Sequence, residues 1–483
     1  MDILFAATEL APYAKAGGLA DVMAALTKTL RQHGHKVTLA LPRYRHFERA
    51  GLLVARRLTP LHFELGGTRY NVTVYDGRLP SGVDITLLDL PGFFDRDGIY
   101  GDGATDYADN PLRFAAFSGA VVELVRQRLQ SDMTFDVVHA HDWPTALVPF
   151  YAQLPANQAL ATASRFLLTV HNIEFQGIAP ASMLDPLGIP REHFHPEGAE
   201  FYGSINILKT GLLFANALTT VSETYAREIQ SEERGGGLHG VLASRASRLV
   251  GIPNGVDYSL WNPATDSALI ARYDAEDPTA KMRCKAALLA ETGLEMVPER
   301  PVIAFADRLA KQKGFDLLAD AIPKLVRSDF ALVLAGDGEP ELVERARELA
   351  ARSVGRIAFV HRPADPALHR IVAGADMVIV PSRYEPCGQM QQYGQRYGSV
   401  PIARATGGLV DTIVDCDSTL ETGTGFLFEE PTAQAATSAI QRALAAFASP
   451  RWPALRRRVM RLDVGWDRSA HRYEQLYRSI ATP

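Results

Sequence analysis

Short apolar runs alternate with longer segments of helical spacing along almost the whole chain, and the alternation comes in two series. In the first, candidate strands fall at residues 2–7, 36–41, 84–89, 136–140, 166–170 and 218–221. Helix-period segments such as 19–33 and 111–129 separate several of them. In the second, PVIAFADRL (301–309), FALVLAG (330–336), RIAFV (356–360), DMVIVPS (376–382) and VPIARA (400–405) repeat the pattern. Apolar strands joined by helices predict parallel sheets with both faces covered. Between the series lies GIPNGVDYSLWNPATD (251–266), where Pro253, Pro263, Asn254 and Gly255 concentrate turn signals and mark a linker. A chain of 483 residues is long enough for two large α/β domains.

Composition narrows the function classes. The chain is 47% hydrophobic and 22% charged, the balance of a globular enzyme without long disorder. Its formal charge of −5 attracts neither nucleic acid nor an anionic membrane, so any anion site must be a local cluster. The three cysteines, Cys284, Cys387 and Cys416, form no CxxC pair, and such sparse usage fits a reducing cytosol. Met1-Asp2 leads directly into a strand-like run, so neither a signal peptide nor a membrane span is expected, and the expected location is cytoplasmic.

Four clusters carry chemistry-bearing residues. In KAGGLADV (15–22), Lys15 precedes Gly17 and Gly18 at the start of a helix pattern. Adjacent glycines permit close approach of the backbone, and a helix start offers free N–H groups to an anion. In ADRLAKQKGFD (306–316), Arg308 ends a strand and Lys313 precedes a helix start. A planar fork and a point charge at a strand's carboxyl end suit a diphosphate. In SRYEPCGQMQQYG (382–394), Glu385 follows an apolar strand, and Pro386 restricts it to extended backbone. A carboxylate held there suits sugar hydroxyls. In the fourth, His139, His141 and Asp142 end one strand, and His171 and Asn172 end the next. Two histidines on one strand face lack the nearby third ligand of a metal site, so polar groups at adjacent strand ends read as a sugar-binding floor. One echo links the halves: Gly17-Gly18-Leu19-Ala20-Asp21 recurs as Gly407-Gly408-Leu409-Val410-Asp411. No G-x-S-x-G, HExxH or Walker sequence is present.

Taken together the chain resembles the bacterial glycogen synthases and plant starch synthases. The resemblance is carried by TELAPYAKAGGLADV (8–22), DVVHAHDW (136–143), TVHNIEFQG (169–177), ILKTGLLFANALTTVSETYAREI (207–229), PNGVD (253–257), RLAKQKG (308–314), PSRYEPCG (381–388) and ATGGLVDT (405–412), in that order. It implies an α/β chain of GT-B architecture, two Rossmann-like domains with an interdomain active-site cleft. The expected divisions are residues 1–255, with the Lys-x-Gly-Gly loop on the acceptor side; 256–464, binding the nucleotide sugar; and a terminal helix, 465–483, returning to the first domain.

The implied reaction transfers glucose from ADP-glucose to the non-reducing end of an α-1,4-glucan such as glycogen, with retention. By position match, Lys15, Gly17 and Gly18 face the phosphates and sugar, with Asp21 in the same motif. Arg308 and Lys313 match the diphosphate-binding pair, and Glu385 the acid that binds the donor glucose. Cys387 and Gly388 belong to that loop, Thr406, Gly407 and Gly408 to the second glycine loop. His171 and Asp142, with Asn172 beside them, match residues lining the reaction centre. The family's front-face displacement needs cations on the leaving diphosphate, not the paired carboxylates of a glycosidase. No metal and no cofactor is implied, and no nucleic-acid or membrane partner; the oligomeric state is not legible. The sequence departs from the family at Gln389-Met390, usually Leu-Thr, at His361–Pro366, which usually carries a tyrosine near the adenine, and at Asp307, usually Ser. Two other readings compete: another GT-B enzyme using a UDP-sugar, and a catalytically silent glucan-binding protein. Retention of Lys15, His171, Arg308, Lys313 and Glu385 argues against the second.

Overall fold

The computed structural model describes residues 1–103, 105–325 and 328–481. The chain separates into two compact units. One comprises Met1–Val221, Ala226–Ile252 and the helix Trp466–Ala481; the other comprises Ser222–Tyr225 and Pro253–Gly465.

In the first unit the strands are β1 (Asp2–Ala6), β2 (Lys36–Pro42), β3 (Val54–Arg56), β4 (Leu61–Leu65), β5 (Thr68–Arg78), β6 (Asp84–Asp89), β7 (Val137–His141), β8 (Arg165–Val170), β9 (Ile178–Pro180), β10 (Glu200–Phe201), β11 (Ser204–Asn206), β12 (Ala217–Thr220) and β13 (Leu249–Gly251). The main sheet runs β13-β12-β8-β7-β1-β2-β6-β5-β3, with β4 paired to β5. From β13 to β6 the strands are parallel; β5 pairs antiparallel with β6, β3 and β4. The chain winds outward from β1 through β2 to β6, then returns to the other side of β1 at β7. Strand order therefore reverses between β1 and β7, which opens a crevice at their carboxyl ends. The helix Gly18–Gln32 forms because Leu19, Val22, Met23, Leu26 and Leu30 recur on one buried face.

In the second unit β14 (Val302–Ala306), β15 (Ala331–Gly336), β16 (Ile357–His361), β17 (Met377–Val380), β18 (Val400–Arg404) and β19 (Phe426–Phe428) form a parallel sheet in the order β16-β15-β14-β17-β18-β19. Alternate residues feed two cores: Ile303, Phe305, Leu332 and Leu334 enter one, while Val302, Ala304, Ala306 and Val333 enter the other. Both faces are thus covered, as the uninterrupted apolar runs require. The order reverses between β14 and β17.

Four pieces lie outside the strands expected from sequence: β3, β4 and β5, the small antiparallel sheet β10-β11-β9, β13, and β19. These strands are short or half exposed; β3 buries none of its three residues and β4 only its two ends. Their sequences lack the solid apolar runs that made the parallel strands visible.

Candidate active site

In the second unit the loops leaving β14 and β17 meet at the switch point. Lys313 Nζ donates to Glu385 Oε2 at 2.8 Å and Oε1 at 3.1 Å, and lies 3.0 Å from Asp307 Oδ2. Ser382 Oγ donates to Glu385 Oε2 at 2.8 Å. Burial disfavours a charge on Lys313, but Asp307 and Glu385 outweigh it and raise its pKa above the ordinary lysine value. Arg308 is exposed, and its Nη2 donates to Gln312 Oε1 at 2.8 Å. Glycine is required beside the lysine. Gly314 has φ +69°, and a Cβ there would lie 2.0 Å from the Pro381 carbonyl oxygen.

The loop after β18 is laid on the Glu385 loop. The Gly408 N–H donates to the Glu385 carbonyl at 3.1 Å, and a Cβ on Gly408 would lie 2.2 Å from the Cys387 carbonyl oxygen. Gly407 takes φ +46° and Gly388 φ +72°. Thr406 is buried at the start of this turn. Cys387 is buried too, and burial pushes its thiol up to about 12, so it is a neutral packing group and not a nucleophile.

In the first unit the candidate residues gather at the carboxyl ends of β1, β7 and β8. Asp142 adopts φ +58° with ψ −178°, a conformation a non-glycine residue rarely holds. Its Oδ1 accepts the His171 N–H at 2.7 Å, so the strained residue ties the end of β7 to the end of β8. Burial raises the Asp142 carboxyl to about 7, against the stabilising N–H groups of His171 and Asn172. Burial lowers His171 to about 3, which leaves a neutral imidazole, and its Nε2 lies 2.9 Å from His141 Nδ1. His141 is fully buried and serves to orient His171; behind it, His139 joins Thr169 and Tyr477. Asn172 closes a local turn, its Oδ1 accepting the Glu174 N–H at 3.1 Å. Lys15 is partly exposed and pairs with Asp21 at 3.0 Å.

Sequence reasoning passed over Glu9. This buried acid accepts the Ala16 and Gly17 N–H groups at 2.8 and 2.7 Å, and its other oxygen accepts the Tyr100 hydroxyl at 2.8 Å. It fixes the glycine loop from beneath. The signal was an acid two residues beyond an apolar strand, in a motif whose lysine and glycines drew the attention. The two glycine pairs also differ physically. Gly17 is extended at φ −149°, and a Cβ there would find only Glu9 Oε1, at 4.0 Å. Its counterpart Gly407 takes φ +46°, so the first glycine of the two copies has a different backbone conformation.

A family model, starch synthase catalytic domain, matches residues 2–244, and a second, glycosyl transferases group 1, matches 293–449. Glycogen synthase of Anaeromyxobacter sp. (strain Fw109-5) is 44% identical over the whole of both chains. The chain belongs to the glycogen and starch synthase family. Glycogen synthase 2 of Geobacter sulfurreducens is 40% identical over 100% of this chain and 99% of its own. The solved catalytic domain of starch synthase IV from Arabidopsis thaliana, bound to ADP and acarbose, superposes with a TM-score of 0.90 at 33% identity, over 100% of this chain and 99% of that one. Sucrose-phosphate synthase from Thermosynechococcus elongatus, at 18% identity and a TM-score of 0.59, shares the fold. This member of the glycogen and starch synthase family is thus a glycosyltransferase of GT-B architecture. Among the described residues no helix is long and apolar enough to cross a membrane.

Met390, where the resemblance leads one to expect Thr, packs against three apolar clusters of the second unit. In the other atypical segment, His361 and Arg362 pair with Asp337 at 3.0 and 2.6 Å. Arg362 first, then His361, holds the Asp337 carboxyl down at about 2.

Proposed function

We propose that the chain is a glycogen (starch) synthase that transfers glucose from ADP-glucose to the non-reducing end of an α-1,4-glucan with retention of configuration. The observation that carries the reading is the assembly of Lys313, Glu385 and exposed Arg308 at the switch point of the second sheet, in a chain alignable end to end with glycogen synthases. Arg308 and Lys313 take the diphosphate, and Glu385 binds the donor glucose. As the bond to the leaving phosphate lengthens, the two cations stabilise the charge that develops on it. The leaving phosphate oxygen takes the proton of the incoming 4-hydroxyl on the same face, so no paired carboxylates are needed. His171, a neutral imidazole, hydrogen-bonds sugar without competing for that proton. Asp142 and Asn172 shape the loop around it, and the Lys15-Ala16-Gly17-Gly18 loop, held by Glu9 through the Ala16 and Gly17 N–H groups, presents its open Gly17 backbone and the Lys15 cation to the donor. The domains of this reading are 1–255 and 256–464, with the helix 465–483 belonging to the first. ADP and acarbose bound by the Arabidopsis enzyme support the choice of an adenine donor and an α-glucan acceptor. The test is transfer of labelled glucose to glycogen from ADP-glucose and, separately, from UDP-glucose. Incorporation from the ADP donor is expected to dominate; dominance of UDP-glucose, or no transfer from either, overturns the reading.

A further inference from the structure

Away from the strand ends discussed above, the helix Trp466–Ala481 presents Asp467, His471 and Glu474 at i, i+4 and i+7, one stripe of its surface. Facing that stripe are His33, which caps the helix Gly18–Gln32, and His35, just before β2. His33 Nδ1 lies 3.0 Å from Glu474 Oε1, and His33 Nε2 lies 3.0 Å from Asp467 Oδ1. His35 Nε2 lies 3.0 Å from the same Glu474 oxygen. The rings of His33 and His471 are 4.7 Å apart between centroids. One ligand atom each from His33, His471 and Glu474 falls within 4.8 Å of the others.

We propose that His33, His471 and Glu474 form a binding site for a divalent transition-metal ion of the zinc class, outside the reaction centre, which fastens the C-terminal helix to the helix Gly18–Gln32. Two imidazole nitrogens and one carboxylate oxygen are a common zinc donor set, with a fourth position left for water. The supporting shell is already in place. Histidine ligands of metals characteristically donate their second ring N–H to a carboxylate or a backbone carbonyl, which fixes tautomer and orientation. Here the Asp467 carboxylate takes one nitrogen of His33, leaving the one that faces Glu474. The Asp467 carbonyl lies 2.7 Å from His471 Nδ1, leaving Nε2 of that ring for the metal. Charge argues the same way. Glu474 is buried, and among the described residues no lysine or arginine pairs with Glu474 or Asp467. A divalent cation placed among these rings meets two carboxylates for which no lysine or arginine competes. Tetrahedral ligand atoms sit about 3.4 Å apart, so the site must contract from 4.8 Å. His471 is the exposed member of the three, so the contraction falls to its side chain.

The test uses the full chain, stripped with a chelator and titrated with zinc chloride in a calorimeter and, in parallel, with cobalt(II), whose absorption reports tetrahedral coordination. One equivalent is expected to bind, raising the melting temperature, with a tetrahedral cobalt spectrum. His471→Ala, an exposed change that leaves the fold intact, should weaken zinc about 100-fold and abolish that spectrum, since even loss of an outer-shell partner costs 10–100-fold. Glu474→Gln should do the same. Binding with the same stoichiometry and affinity in parent and His471→Ala, or no stoichiometric binding by the parent, overturns the proposal and leaves a cluster of hydrogen bonds only. Glucose transfer is read separately, so failure here does not touch the proposed reaction.

Discussion

Lys313 Nζ stands 2.8 Å from Glu385 Oε2, a contact that joins two neighbouring strand ends 72 residues apart in the chain. In our proposal these groups have different tasks, phosphate for the lysine and sugar for the acid, yet without ligand they neutralise each other. The pair holds the glutamate in place until the sugar arrives. Replacing Glu385 by Ala should leave the fold intact, because Asp307 still faces Lys313 at 3.0 Å. Turnover should fall at least ~100-fold, the scale of losing an electrostatic contact to a transition state. Circular dichroism checks the fold and labelled-glucose transfer the rate; near-parental turnover would remove Glu385 from the site.

Asp307 offers a change in the opposite direction. It shares the Lys313 charge with Glu385, so part of the cation is committed before any phosphate binds. Asp307→Ser should free it and tighten ADP about 5-fold, or about 1 kcal/mol, the scale of a partly exposed ion pair. Lys313→Ala should weaken ADP by about 10–100-fold, as expected for a charge-assisted contact worth ~1.5–3 kcal/mol, and maltooligosaccharide much less. Calorimetry with both ligands decides. Weaker ADP binding in Asp307→Ser would mean the acid itself touches the ligand.

Glu9 is placed to be felt twice. Glu9→Ala leaves the N–H groups of Ala16 and Gly17 without their acceptor, a cost of about 1–3 kcal/mol in unfolding free energy. Turnover should fall with it, because the glycine loop loses its support. Glu9→Gln retains an acceptor oxygen and should recover most of the stability. Urea titration of the three proteins reads the first effect; an Ala variant as stable as the parent would show that water replaces the carboxylate without loss.

The Asp142 carboxyl gives a pH signature. Burial lifts it to about 7 in the fold, while the unfolded chain releases the same proton near ~3.9. A raised folded value means that the native state holds the proton after the unfolded state has lost it. Its contribution is fully present below ~4 and is lost as pH rises towards 7. Asp142→Asn removes that dependence and tolerates the positive φ. Between pH 4 and 7 the variant should therefore gain stability relative to the parent, with a plateau above. A flat difference across that range in denaturant titrations would place the Asp142 proton elsewhere.

The central parallel strands were legible because they are solid apolar runs such as Ile3–Ala6 or Val302–Ala306, buried on both faces, whereas the three-residue parallel edge strands β13 and β19 were too short to stand out. That pattern needs no neighbour to be recognised. The motif order likewise identified the family, since several long motifs in sequence are far more specific than any one. The strands β3 to β5 lack that pattern: they alternate or face solvent, and although β4 and β5 form a local hairpin across Gly66-Gly67, only pairing with β6 joins them to the main sheet. At the candidate site the residue types were legible but their contacts were not. Nothing local to ADRLAKQKG says that Asp307 and Glu385 meet at one lysine, because that depends on β14 and β17 being adjacent. Nor does HAHDW say that Asp142 will spend its carboxylate on the His171 N–H. The two Gly-Gly-Leu copies read alike in sequence, yet Gly17 is extended at φ −149° while its counterpart Gly407 takes φ +46°. Local sequence set the elements through burial period and turn chemistry. The tertiary structure alone decided which polar groups share a partner, because hydrogen bonds and charges act over a few ångströms in space, whatever the distance along the chain.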